Sequence, residues 1–340
     1  MTTARAHKIN LESTPYYHCV ARCVRRSYLC GQDAVTGNNY NHRKAWLVNR
    51  FKFLAKVFAI DICAYAVMSN HYHLVLHVDL NQSLAWSKDE VKERWAQLFP
   101  RDATLFDEAS PDAAAQKIIE WRERLASISW FMRCLNENIA KLSNKEDEVS
   151  GRFWEGRFKS QALLDEGALL SAMAYVDLNP IRAGVAKTPE DSEFTSIYER
   201  IKAISETLKN KGKNNHPEDI KKALDKAIQP QNLMPLQNKH TLLKSIPSLD
   251  ITLSDYFELI DCTGRMLKEG KGAIPSTVSP ILERLKIKTT AWLEMVSNIE
   301  KSFAHAVGQL HHLLNFGPNT RERALRGSAL ASRCYINTLA

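Results

Sequence analysis

Three histidines alternate along one short stretch of the 340-residue chain, Met68-Ser69-Asn70-His71-Tyr72-His73-Leu74-Val75-Leu76-His77-Val78. On a strand, alternate residues share a face, so His71, His73, Val75 and His77 point one way and Tyr72, Leu74, Leu76 and Val78 the other. The second face is core. Imidazoles two residues apart lie about 6.6 Å from each other along the backbone, near enough to turn toward one cation, whereas His71 and His77 span about 20 Å. His77 therefore cannot complete the same site, and a metal held by His71 and His73 needs a third ligand from another element. The pair serves equally well as ordinary hydrogen-bonded imidazoles, because histidine is switch, base and ligand alike.

A second constellation lies about 100 residues on, in Met173-Ala174-Tyr175-Val176-Asp177-Leu178-Asn179-Pro180-Ile181-Arg182-Ala183-Gly184. In a helix, Leu169, Met173 and Val176 form an apolar stripe, with Tyr175 to its side and Asn179 one turn later. A phenol and an amide then face the same space. The proline after Asn179 biases that residue away from helical backbone and leaves its placement open. Taken alone, a tyrosine beside a helical stripe is packing, with its hydroxyl at the surface.

The elements that would position these groups follow from periodicity. Tyr16 to Val24 reads as a first strand after Pro15, and His42 to Ile60 as an amphipathic helix with its basic residues outward. Ile62 to Met68 and His71 to Val78 form two strands around the polar turn Ser69-Asn70. Residues 82–125 are charged and helix-prone, as an insertion between core elements would be. Ile128 to Leu142 is a helix, Phe158 to Leu164 a strand, and Glu166 to Leu178 a helix that Asn179-Pro180 brings to an end. That order predicts an α+β fold with a ferredoxin-like antiparallel sheet and helices on one face. The expected division is a catalytic unit over 1–186, containing the helical insertion at about 82–125, and a helical extension over 187–340. A Lys/Asn-rich stretch from Leu208 to Pro217 is the linker candidate within the extension.

Charge points to a polyanion. Residues 1–60 hold ten Lys/Arg against two acids, while the remainder is balanced at 36 against 36. A neutral body with one basic end suits a ligand such as nucleic acid held in a particular place. Seven cysteines without a C-x-x-C pair exclude a disulfide framework and argue against a zinc knuckle. The absence of an apolar run of about 18 residues predicts no membrane span, and the start MTTARAHKINLES lacks a secretory signal. The expected location is therefore the cytoplasm.

Four separated blocks resemble the HUH single-tyrosine transposases of the IS200-like type, most closely the REP-associated tyrosine transposases. They are YYHCVARCVRR near the start, AYAVMSNHYHLVL around the histidines, GRFWEGRFKSQALLDE before the last core helix, and AYVDLNPIRAGV. The resemblance covers residues 15–186. It implies that His71 and His73 are the paired metal ligands, Asn179 the third, and Tyr175 the nucleophile. The implied cofactor is Mg²⁺ or Mn²⁺. The implied product is a covalent 5′-phosphotyrosine beside a free 3′-hydroxyl, formed on single-stranded or hairpin DNA at the nucleoid.

Some family members carry Gln where Asn179 stands, and some add an acid just before the histidines. Met68 and Ser69 occupy that region here, so no acidic ligand is assigned. Metal and nearby basic groups are expected to favour the ionised Tyr175 phenol. Arg22, Arg25, Arg26, Arg43, Lys44, Lys159 and Arg182 are candidate DNA contacts. Trp154 and Arg157 mix an aromatic with a cation, as a stacking platform for unpaired bases would. A monomer is favoured over a dimer with exchanged tyrosine helices. Two other readings stay open: a DNA-hairpin binder without strand transfer, and a zinc-dependent hydrolase in which Tyr175 is structural.

Overall fold

A computed structural model describes residues 9–24, 29–31, 37–107, 110–209, 224, 228–237, 249–269, 277–316 and 326–336. Arg25 and Arg26 lie outside the described residues, as does the candidate linker beyond Lys209.

The fold is mixed α+β around a five-stranded, mostly antiparallel sheet. In chain order, β1 is Tyr16–Arg22, α1 His42–Val57, β2 Ile60–Val67 and β3 His71–Val78. Four helices follow: α2 Leu80–Ala85, α3 Lys88–Leu98, α4 Pro100–Asp107 and α5 Pro111–Leu125. The helix α6 Ile128–Glu146 precedes β4 Lys159–Leu163, α7 Glu166–Asp177 and the short α8 Asn179–Arg182. The strands run in the order β2-β3-β1-β4, with neighbours antiparallel.

The strand β3 is buried on both faces, which sets the layers. Tyr72 donates from Oη to Asn136 of α6 at 2.6 Å, so this face meets α6. The ring of Phe51 in α1 sits 4.8 Å from that of Tyr65, the β2 residue in register with Leu74. His73 points oppositely, toward α7. Helices thus cover both faces where one was expected, because α7 is needed over the histidine side of the sheet. The segment 80–125 folds as helices beside α6, held by Trp95 stacked on Trp121 at 5.5 Å and edge-on to Trp130.

The one inward basic residue of α1 departs from the expected outward set. Arg43 shares the buried stripe with Leu47, Phe51, Leu54 and Val57, and is 1% exposed. Its guanidinium meets Glu146 and Asp147 at the end of α6. A cation already paired inside the fold is not offered to a phosphate, so Arg43 leaves the set of DNA contacts.

The described residues beyond 186 are packed into this core. They contain α9 Ser196–Lys209, β5 Leu236–Gln237, β6 Leu249–Thr252 and α10 Leu253–Glu269. Next come α11 Ser279–Arg284, α12 Trp292–Ser302, β7 Ala306–Val307, α13 Leu310–Phe316 and α14 Ser328–Cys334. Strand β7 pairs parallel with β4, extending the sheet. At the opposite edge, Val67 donates its N–H to Phe194 and Met234 donates to Ile62, so β2 is covered as well. Unpaired sheet edges invite association, and both are closed here by late parts of the chain. Gly308 lets the backbone after β7 pass over Asp165, since a Cβ there would stand 2.8 Å from its carboxylate.

Asp177 anchors the extension to the end of α7. Fully buried, it accepts from Ser196 Oγ, from the Ile197 N–H at 2.9 Å and from Tyr256 Oη at 2.5 Å. Among the described residues no helix is long and apolar enough to cross a membrane, and all seven cysteines are buried without disulfides.

Replacing Asp177 by Ala strands three donors that each cost roughly 1–3 kcal/mol when unsatisfied. The loss of a buried charge offsets part of this. Asp177→Ala is therefore expected to lower stability by about 3 kcal/mol, measured as a shift of the urea midpoint; an unchanged midpoint contradicts the anchoring role.

Candidate active site

The histidine face of the sheet collects polar groups from three strands. Antiparallel register sets His18 of β1 beside Val75 and beside Gln161 of β4, while Val20 stands opposite His73 and Arg22 opposite His71. His73 is fully buried at the centre. Its Nδ1 lies 3.0 Å from His18 Nε2, and its Nε2 lies 3.2 Å from the Asn179 carboxamide nitrogen. The His71 ring is 4.8 Å from the His73 ring, and its Nδ1 is bound to Asn70 Oδ1 at 2.6 Å, leaving Nε2 unengaged in that bond.

The backbone of α7 and α8 explains how Tyr175 and Asn179 reach the same imidazole. Asp165 caps the start of α7 by accepting from the Ala168 N–H at 2.8 Å. The helix ends at Asp177, and Leu178 still donates its N–H to Ala174. Asn179 then opens α8, where Pro180 stands in the first turn and its missing N–H costs nothing. The expected break is real but lasts one residue, and both side chains stay on the sheet side. The Tyr175 ring stands edge-on to His73 at 5.6 Å and to His18 at 5.9 Å.

Tyr175 has a partner that no local pattern announces. Its Oη donates to Glu300 Oε2 at 2.5 Å, from α12 of the extension. Arg182 lies over the Tyr175 ring at 4.4 Å and donates to the Ser297 carbonyl of the same helix at 3.0 Å. Gln161 Nε2 donates to the Phe303 carbonyl at 3.0 Å and more distantly to Ile299.

Burial and charge set the protonation of the cluster. Burial, aided by the Arg22 cation, pushes the His71 imidazole down to about 4. Burial also holds His73 well below its usual value, reinforced by His18, His71, Arg182 and Arg22, and lowers His18. All three rings are therefore neutral near pH 7, with lone pairs available. The phenol of Tyr175 goes the other way. Burial first, then the Glu300 anion, pushes it up to about 12, opposed by Arg182. Burial works against the Glu300 carboxylate, but the Tyr175 hydrogen bond and the Lys159 cation hold it below its usual value. Burial and the Glu300 anion together thus outweigh the Arg182 cation and keep the Tyr175 phenol protonated.

Of the sequence-derived site residues, His71, His73, Tyr175, Asn179 and Arg182 come together, with Arg22 and Lys159 at the rim. Trp154 does not. Its ring packs on Tyr72 at 5.7 Å and its Nε1 donates to Asn136, which puts it on the opposite face of the sheet as part of the packing over α6. Lys44 lies over the Phe194 ring at 5.5 Å, and Arg157 is exposed on the surface. His18, Gln161 and Glu300 were missed. A polar residue among the buried apolar ones marks His18 and Gln161 as candidates; Glu300 carries no signal before folding. Among the described residues no group of three His, Cys, Asp or Glu side chains gathers as a ligand set.

No protein-family model matches the chain, and neither does any curated protein. Among solved structures the chain is similar to a REP-associated tyrosine transposase bound to a REP hairpin, at 13% identity and a TM-score of 0.37. The match covers 59% of this chain and 86% of the other. Similarity this loose assigns nothing to the chain, and the site's own geometry has to carry its interpretation.

The Glu300 anion raises the phenol, so its removal lowers it. Glu300→Gln is expected to bring the Tyr175 pKa down from about 12 while burial keeps it above 10. Ultraviolet titration of that variant, with Tyr175→Phe as the blank, measures the change; a phenol titrating where it did before rules out the electrostatic coupling.

Proposed function

We propose that this protein is a tyrosine-dependent single-strand DNA nickase and strand-transferase acting on hairpin or palindromic DNA. The observation that carries the reading is the meeting of Tyr175, His73 and Asn179 within one chain, with the ring pair at 5.6 Å and the amide contact at 3.2 Å. No second subunit is needed to unite them, which favours a monomer. The strand order β2-β3-β1-β4 supports a ferredoxin-like core of the HUH kind.

His71, His73 and Asn179 would hold a divalent cation; imidazole suits zinc or nickel as well, and it is the phosphate chemistry and the family resemblance that favour Mg²⁺ or Mn²⁺. The His73 Nε2 and the Asn179 carboxamide stand 3.2 Å apart, close enough for both to turn toward one ion. A half-turn of the carboxamide puts its oxygen forward. Bound there, the ion would polarise the scissile phosphate and stabilise the charge that develops on it.

The residues of the chain do the rest. Arg22, Lys159 and Arg182 draw the DNA backbone to the rim, and Arg182 also holds the phenol ring in place. Tyr175 Oη attacks phosphorus and the P–O3′ bond breaks; the phenolic proton passes to Glu300, already its hydrogen-bond acceptor, and the departing 3′-oxygen takes a proton from water to become the free 3′-hydroxyl. The resulting phosphotyrosine diester retains the energy of the broken bond, so the strand can be joined to another end without ATP.

Incubating labelled hairpin-bearing single strands with Mn²⁺ or Mg²⁺ tests the reading. Wild type is expected to give a protein–DNA adduct on a denaturing gel, Tyr175→Phe none, and Glu300→Gln an adduct formed about a hundredfold more slowly. Cleavage without attachment favours a zinc hydrolase, and shift without cleavage a hairpin binder. Raising the salt should weaken DNA binding steeply, with a shallower slope in Lys159→Ala.

A further inference from the structure

The extension touches the histidines through a chain of hydrogen bonds whose direction is forced. It begins at a backbone carbonyl, which only accepts. Phe303, the residue following α12, presents its carbonyl to Gln161 Nε2 at 3.0 Å. The last carbonyls of a helix lack partners within it, and Gln161 supplies a donor there. With its nitrogen committed to α12, the Gln161 amide turns its oxygen to His18 Nδ1, 3.1 Å away. That oxygen accepts, so the His18 proton sits on Nδ1. Neutral His18 then offers the lone pair of Nε2 to His73 Nδ1 at 3.0 Å, which places the His73 proton on Nδ1. The remaining His73 nitrogen, Nε2, is left as a bare lone pair facing Asn179.

We propose that seating of α12 sets the tautomer of His73, through Gln161 and His18, so that its Nε2 lone pair faces the cation position. Gln161 and His18 are positioning residues. Without the Phe303 carbonyl the Gln161 amide is free to turn over and present its nitrogen to His18. The chain then reverses and puts a proton on His73 Nε2, where no cation can bind. Burial of both rings in the sheet keeps water from supplying a substitute partner. The extension is thereby a component of the metal site without supplying a ligand to it. Hydrogen bonds of this kind to a ligand's second nitrogen commonly change metal affinity by about 10–100-fold when removed.

The inference rests on the reading of His73 as a cation ligand only for its functional meaning; the tautomer can be observed without any metal. Long-range ¹H–¹⁵N spectra of the full-length, metal-free, histidine-labelled protein are expected to show His73 protonated at Nδ1 and bare at Nε2. In Gln161→Leu the His73 signals should shift toward the other tautomer, and Mn²⁺ affinity by titration should fall about 10–100-fold. Gln161→Glu gives up the donor to the Phe303 carbonyl but presents only acceptors to His18, and so should retain the wild-type tautomer. That variant also guards against misfolding in Gln161→Leu. Wild-type His73 protonated at Nε2 overturns the proposal, and so does Gln161→Leu with an unchanged tautomer. If the tautomers behave as stated while wild type binds no Mn²⁺, the relay stands and the metal reading under the proposed function falls.

Discussion

The contact between the Asn179 carboxamide and His73 Nε2 is the joint on which this structure turns. It ties the interrupted end of α7 to the central strand, and it does so where neither partner has access to bulk water. Two buried polar groups that close together must be satisfied by each other or by a ligand, since an unmatched one costs on the order of 1–3 kcal/mol. The sheet around them is arranged accordingly. Both ring nitrogens of His18 and the second nitrogen of His73 have partners.

The extension behaves as structure the core depends on. Asp177 and Arg200, both fully buried, join it to α7 and β2, with Arg200 donating to the carbonyls of Cys63 and Met234. Asp165 does the same at the start of α7, accepting from the Gln309 N–H and from Tyr335 Oη while capping its own helix. Both ends of the tyrosine helix are therefore pinned by residues far along the chain. A side chain on a helix held at both ends keeps little freedom to leave the position in which Tyr175 stands.

Much of this was legible in the amino-acid sequence, and the limits have physical causes. Period-two alternation located β3 and the two-residue turn before it, and the apolar stripe of α7 placed Tyr175 beside Asn179. Those signals are local. Its charge argues for an outward Arg43, yet the residue falls four positions before Leu47 on the same buried stripe, and periodicity with its two carboxylate partners decides the side. Trp154 was read for its chemistry, while the neighbours that decide its face, Tyr72 and Asn136, are brought in by pairing between distant segments. Glu300 lies beyond any such reasoning. Its meeting with Tyr175 depends on how α12 docks, and nothing in the residues around either of them encodes that approach.

Strand β7 carries a consequence for the order of events at the ribosome. It joins β4 from about 140 residues further along the chain, and the Phe303 carbonyl and Glu300 arrive with it. Synthesis proceeds from the N-terminus, so the histidines and the tyrosine emerge well before the pieces that orient them. A chain in which β7 has not yet joined would present the Tyr175 phenol without its Glu300 acceptor and the β4 edge without its partner. The pocket closes only when the segment carrying Glu300 and Phe303 has docked beside β4.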